Sequence, residues 1–487
     1  MFMKFSPLPL VLCAALSLSS AVRLAAQTAP APKSPKPESF VVTARVDERV
    51  ELLSIVARLA GYEEYVNNQF KLYADDVDKH FGKYGQHPAV QFARKIRESN
   101  QIGFDAVMAM AVHLNPPPSL TPRVAFTDKV PDPRWGRDAA EQFARLLQQF
   151  YKDADCESFF RSHAELYRTA EQRFRSVTDK VDFDWFRRFY GEVPGGSFNL
   201  YIGLLNGSGN YGPKVVHPDG TEDRYAIIGT SDVDNTGLPV YGDDSLSLII
   251  HEYNHSFINH LVFENERQLS AAGEKVFRPV AEKMNLLHYD SWQIALIESL
   301  VRTGEIRYKF EHNAQPQVAY EAIMGERGLG FLWIEELSAL LGTYENSRVL
   351  YPTFRSFFPV VVGYFGDLSK RIEYMAARFD ELSPHVAGTS PFPNGAQDVD
   401  PNTTRLTFTF DRVLAKDGYS FNSGPGGDAH NPFGKIIGFN ETGSAFTIQV
   451  KLKPDWDYSL VVTGRGFRTK DGYPLQPYTV RFRTKKL

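Results

Sequence analysis

The sequence predicts an α+β protein in which a mostly helical body with a small sheet is followed by an all-β sandwich. Three observations carry this expectation. Apolar residues recur at helical spacing through most of residues 41–382, two short alternating runs interrupt them near residues 198–205 and 224–230, and beyond about Ser383 the period changes to two. A chain of 487 residues is also long enough to bury more than one core.

In chain order, Lys4, an apolar run over residues 8–18 and small residues through Ala26 read as a secretory signal peptide, residues 1–26, with cleavage after Ala21 or Ala26. Leu10, Val11 and Leu12 precede Cys13 where a lipoprotein signal prefers a small residue, so release is expected rather than anchoring, into a secreted, periplasmic or cell-surface location. Residues 27–40, rich in Pro, Ala and Lys, read as an extended linker. Cleavage leaves Cys156 as the single cysteine, which excludes an intrachain disulfide in the mature chain. A formal net charge of −4 gives no basic field for nucleic acid or an anionic membrane, and no membrane span is expected after the signal.

From Asp47 to Tyr190 helical spacing is carried by Val50, Leu53, Val56 and Leu59 and later by Phe143, Leu146, Leu147 and Phe150, interrupted at Pro116-Pro117-Pro118. His80, His87 and His113 share no ligand spacing and read as ordinary polar residues. Strands are expected over 198–205 and 224–230, the second preceded by an Asp219-Gly220 turn. Between them Gly207-Ser208-Gly209-Asn210-Tyr211-Gly212 matches a dinucleotide fingerprint in form only. Pro213 follows at once where a helix would have to open, so the stretch reads as a glycine-rich bend above a cleft.

The most informative segment is His251-Glu252-Tyr253-Asn254-His255. A helix is expected over 244–262, capped by Asp243 or Asp244, with Leu246, Ile249, Ile250, Tyr253, Phe257 and Leu261 as its buried stripe. His251 and His255 lie one turn apart and nearly opposite that stripe, so both imidazoles can reach one ion in a cleft, with Glu252 to one flank as general base. His260 falls among the apolar positions and reads as a core histidine, not a ligand. A third ligand should come from a helix over 290–310, which places Glu298, Arg302 and Glu305 on one face beside Ile294, Ile297, Val301 and Tyr308. Glu298 is the expected ligand, with Glu305 the alternative. Helices around 331–341 and 356–379 complete this body, and Tyr308, His312 and Tyr344 are candidate donors to a developing oxyanion.

On His251, Glu252, His255 and Glu298 the chain resembles the gluzincins, which pair a HExxH helix with a glutamate from a later helix. More narrowly, residues 46–379, through Leu59-Ala60-Gly61-Tyr62, His87-Pro88-Ala89-Val90, Phe104-Asp105-Ala106-Val107-Met108 and the histidine segment, resemble an uncharacterised family of secreted bacterial proteins. The resemblance implies a zincin-like metallopeptidase domain, one Zn2+ held by His251, His255 and Glu298, catalysis by Glu252, and a peptide or protein substrate laid along a sheet edge. One departure is Arg302, where many gluzincins carry an aspartate that orients a histidine; Asn259, four residues after His255, is the expected substitute.

In the tail, residues 388–487, alternation marks Leu406-Phe408-Phe410, Phe446-Ile448-Val450-Leu452, Tyr458-Leu460-Val462 and Tyr478-Val480-Phe482. With the opening over residues 390–399, this region resembles bacterial surface-layer-type Ig-like domains, which implies a spacer or a module that contacts a cell-surface polymer. The expected function is therefore a secreted zinc-dependent hydrolase, in particular a metallopeptidase. The competing expectation is a non-catalytic surface binding or scaffold protein with a structural or degenerate metal site.

Overall fold

A computed structural model describes residues 42–193, 195–313 and 315–486. The expected signal peptide and linker, residues 1–26 and 27–40, lie outside the described residues. The body is helical around one four-stranded sheet, β1 (Ala44–Val46), β2 (Gly196–Gly203), β3 (Lys214–Val216) and β4 (Glu222–Gly229), in the order β1-β2-β4-β3. β1, β2 and β4 run parallel, and β3 runs antiparallel to β4 at the edge. A small hairpin, β5 (Asp232–Val233) with β6 (Pro239–Val240), leads into the histidine helix.

That helix spans Asp243–Glu264 and the carboxylate helix spans Trp292–His312, close to the expected ranges. Gly242 is the N-cap of the first, which corrects the expectation for Asp243 or Asp244; both aspartates sit in the first turn, where their charge complements the helix dipole. The histidine helix buries Ile249, Ile250, Tyr253, Phe257 and Leu261, and Phe186 and Tyr190 pack against Tyr253 and Phe257. Its buried Asn254 accepts from the Tyr190 hydroxyl at 2.6 Å and donates to the Ile250 carbonyl. On the carboxylate helix Gly304 lies against Asn254, and a Cβ there would fall 2.7 Å from its Oδ1. This glycine lets the two helices approach closely enough for Glu298 to reach the histidines.

Two expected helices are displaced. The stretch 331–341 forms a helix over Ile334–Glu345, and 356–379 forms two, Phe354–Leu368 and Ile372–Leu382. No glycine or proline marks the break at 369–371; Arg371 is held there by Glu336 from the helix Ile334–Glu345. β1 was not foreseen, because a three-residue parallel strand is specified by its distant partner β2 and not by local alternation.

In the tail, β7 (Val386–Ser390), β8 (Arg405–Phe410), β9 (Phe421–Ser423), β10 (Phe433–Phe439), β11 (Ala445–Val450), β12 (Asp457–Val462) and β13 (Tyr478–Arg483) form sheets ordered β10-β11-β8-β7 and β13-β12-β9. Leu406, Phe408, Phe446, Ile448, Leu460, Val462, Val480 and Phe482 turn inward to a shared core. The larger core draws on residues 42–379. Both belong to one compact unit, and Phe379, Arg327 and Tyr473 pack together where the helices meet the tail. Among the described residues no helix is long and apolar enough to cross a membrane. Cys156 is buried, and burial pushes its thiol well above the usual range.

Candidate metal centre

His251 and His255 project from the histidine helix into a cleft of about 1100 Å³, their side chains 15% and 20% exposed. Their Nε2 atoms stand 3.2 Å apart. Glu298, buried on the carboxylate helix, places Oε1 3.4 Å from His255 Nε2 and Oε2 3.6 Å from His251 Nε2. Among the described residues His251, His255 and Glu298 form a cluster able to hold a metal ion, with ligand atoms all within 4.8 Å of one another.

The far side of each ring fixes its tautomer. Glu305 accepts from His251 Nδ1 at 2.7 Å, and Asn259 accepts from His255 Nδ1 at 2.9 Å. With both Nδ1 atoms so engaged, both Nε2 atoms turn toward the same point. Glu305 thus stands behind His251 and not beside Glu298, and Asn259 occupies the supporting position expected of it. Glu298 Oε2 is buried without a hydrogen-bond partner and meets the equally unsatisfied Nε of Arg302 at 3.3 Å. Arg302 is held in turn by Glu326 at 2.9 Å and by the Tyr289 hydroxyl at 2.8 Å.

Burial alone would depress the His251 imidazole, but the Glu305 and Glu298 carboxylates outweigh it and raise the group to about 9. His255 is raised in the same way, against burial, chiefly by Glu298. Burial works against ionisation of Glu298 too, yet His255, His251 and Arg302 hold it down at about 2. The cluster is therefore a tightly coupled set of charges that converge on one point.

Glu252 lines the same cleft, and its carboxylate acts on both His251 and His255 through its charge. Gly212 passes directly over it: a Cβ on Gly212 would lie 2.4 Å from Glu252 Oε2. Tyr211 exchanges both backbone hydrogen bonds with Ile227, and Pro213 accepts from Tyr225, so residues 211–216 form the sheet edge and the intervening Gly212 turns its backbone groups away from β4. The glycine-rich stretch is thus a bend that leads the edge across the cleft.

Several expected residues stand elsewhere. The Tyr308 hydroxyl accepts from Asp182 N, the Tyr344 hydroxyl donates to the Phe189 carbonyl, and His312 contacts Asp182, so none of the three faces the cleft. Each was placed by chain proximity to the motif, whereas tertiary packing turns it into the aromatic core. The cleft carries Tyr211, Tyr225, Tyr289 and His288 in their place. His260 also lines the cleft and is only part-buried, which corrects its expected core position. His80, His87 and His113 are engaged separately, with Ala154 O, Ala89 N and Ala109 O.

A helical and β body with a two-histidine, one-carboxylate cluster at the floor of a cleft defines the architecture. Over residues 42–364 the chain matches the family described as Domain of unknown function (DUF4932), and it belongs to that family. The whole lining of the cleft, from Arg97 to Glu298, falls within the matched region. No curated protein matches the chain. Among solved structures it is similar to surface layer protein SbsC, domains 1-6, at 12% identity over 50% of this chain and 33% of that one. The N-terminal part of the bacterial S-layer protein SbsC is similar at 13% identity over 49% and 58%, and the S-layer protein rSbsC(31-844) at 10% over 82% and 46%. The chain thus spans 33% to 58% of the length of those structures, and at a TM-score of 0.17 in each case the likeness carries no argument.

Proposed function

We propose that this chain is a zinc-dependent hydrolase that cleaves peptide bonds, with a gluzincin-like arrangement of His251, His255 and Glu298 as ligands and Glu252 as general base. The observation that carries it is the ligand triangle. Tetrahedral zinc with bonds of about 2.0–2.1 Å separates its ligand atoms by roughly 3.3–3.4 Å; here the two Nε2 atoms are 3.2 Å apart and the Glu298 carboxylate spans them, Oε1 3.4 Å from His255 and Oε2 3.6 Å from His251, with one atom from each residue all within 4.8 Å. The orphaned Oε2 of Glu298 and the two converging Nε2 atoms supply a donor set that suits zinc. Three protein ligands also leave a coordination position open, as catalytic sites do and closed structural sites do not.

A zinc ion held there supplies a Lewis acid that acidifies water and polarises a carbonyl. This chain's own residues do the rest. Glu252 takes a proton from the attacking water and delivers it to the departing amine. Glu305 and Asn259 hold the imidazoles in register, and the edge at residues 211–216 offers the backbone groups of Gly212 to an extended peptide by strand addition. The tail is read as an Ig-like sandwich on the inward alternation of its strands, and with a cleaved signal it would keep the enzyme secreted or at the cell surface, near a polymer.

The deciding experiment measures bound zinc and cleavage of a peptide library together. Wild type should bind one zinc per chain and cleave. Glu252→Gln should keep the zinc and lose activity by about 10²–10⁴-fold, and His251→Ala should lose both. Zinc bound without any cleavage would assign the metal a structural role, and no zinc in freshly prepared protein would overturn the proposal.

A further inference from the structure

The loop between the helices Pro88–Asn100 and Asp105–His113 presents two residues to the cleft, and both have left-handed backbones: Gln101 at φ 57° and Phe104 at φ 50°. Such a conformation is costly for a large aromatic residue and persists only where the surroundings enforce it. Here they do. Glu64 accepts from Phe104 N at 3.1 Å and grips Arg97 through both carboxylate oxygens, at 2.8 and 3.0 Å. The Arg97 guanidinium lies between two rings, 4.7 Å from the centre of Tyr62 and 5.3 Å from that of Phe104. The stack ends at Phe104, which remains 52% exposed while Tyr62 is 3% exposed. A ring of this size, held rigidly and left half-uncovered in a cleft, is a surface prepared for a partner.

Its place along the cleft follows from one contact chain. The Phe104 carbonyl accepts from the Tyr65 hydroxyl at 3.3 Å, Tyr65 stands close to Tyr211, and Phe104 and Tyr211 line the same cleft. Tyr211 is the first residue of the sheet edge, immediately before Gly212 over Glu252. Phe104 therefore lies at the Tyr211 end of the edge. The opposite end carries Lys214, Glu222 and Arg224, an ion-paired and polar wall. The Phe104 end carries the Asp105–Arg134 ion pair as well, so what sets the two ends apart is the exposed aromatic ring at one of them.

We infer that Phe104, backed by Arg97 and Tyr62, is a substrate subsite that selects an aromatic side chain on the part of the peptide running past Tyr211. Arg97 already occupies one face of the ring with positive charge, so a second cation on the open face is disfavoured and an aromatic ring is favoured. The inference rests on the peptide-hydrolase proposal for the nature of the ligand, but its test does not depend on turnover.

The test scans a single Phe through an otherwise Ala-rich peptide and measures binding to zinc-loaded Glu252→Gln protein by fluorescence anisotropy, alone and combined with Phe104→Ala or Phe104→Tyr. Phe should tighten binding about tenfold at one position, on one side of the bond cleaved by wild type where it cleaves. Phe104→Ala should abolish the difference and Phe104→Tyr should preserve it. An unchanged ratio in Phe104→Ala, a preference at no position, or no peptide binding at all would each overturn the inference. A preference that Phe104→Ala removes, in a protein that cleaves no peptide, would leave the subsite standing and refute the hydrolase.

Discussion

Glu305 and Asn259 determine which nitrogen of each histidine is bare, and that gives each a distinct experimental signature. Glu305→Ala should weaken zinc binding about 10–100-fold in a chelator competition, because His251 loses the acceptor that orients its ring. A loss as complete as that of His251→Ala would instead make Glu305 a ligand. Gly212 acts differently, by its lack of a side chain. Gly212→Ala drives a methyl into the space beside the Glu252 carboxylate, so on the proposed function kcat should fall by at least tenfold, in line with displacement of the proposed general base, while zinc content stays at wild-type stoichiometry. Zinc loss in this variant would place the edge in the metal site itself. The motif spacing made His251, Glu252 and His255 legible in the sequence, because i and i+4 share a helix face whatever surrounds them. Gly212 carried a weaker signal, a glycine-rich bend between two strands, and its partner could not be named.

The helix 48–60, Glu48–Ala60, carries Glu51 into the core beneath the same sheet. Glu51 is fully buried; Oε1 accepts from Leu204 N at 2.9 Å and Oε2 has no partner. Burial raises its carboxyl to about 8, against the hydrogen bond from Leu204 N. The folded protein therefore keeps a proton that the unfolded chain sheds above its ordinary value of about 4.3. Stability from this group is fully present below that value and declines as pH rises toward about 8. Glu51→Gln should remove the decline, so that in urea denaturation its stability relative to wild type improves from pH 5 to pH 8. A constant difference across that range would show that Glu51 ionises freely. At this scale the two site helices were readable from their stripes. The break at 369–371 was not, since it is set by Arg371 meeting Glu336 and leaves no local mark.

The body and the tail keep separate cores but share a seam. Tyr473, between β12 and β13, packs 5.5 Å from Phe379, and the Arg327 guanidinium lies 5.4 Å from the Tyr473 ring centre. Arg327 adjoins Glu326, which holds Arg302 beside Glu298. Tyr473→Ala should lower the unfolding free energy by roughly 1–3 kcal/mol, read as a lower denaturation midpoint, and leave zinc stoichiometry intact. An unchanged midpoint would mean that the tail adds nothing to the body. The sequence by itself determined the helical body, the alternating tail, the histidine face and the candidacy of Glu298, because periodicity and spacing act within one element. Only the tertiary structure grouped Glu298 with the two histidines and set Glu305 behind His251, moved Tyr308, His312 and Tyr344 out of the cleft, and brought Phe104 to the Tyr211 end of the sheet edge. Those outcomes depend on how separate elements approach one another, down to a single glycine between two helices, and no local pattern along the chain encodes such distances.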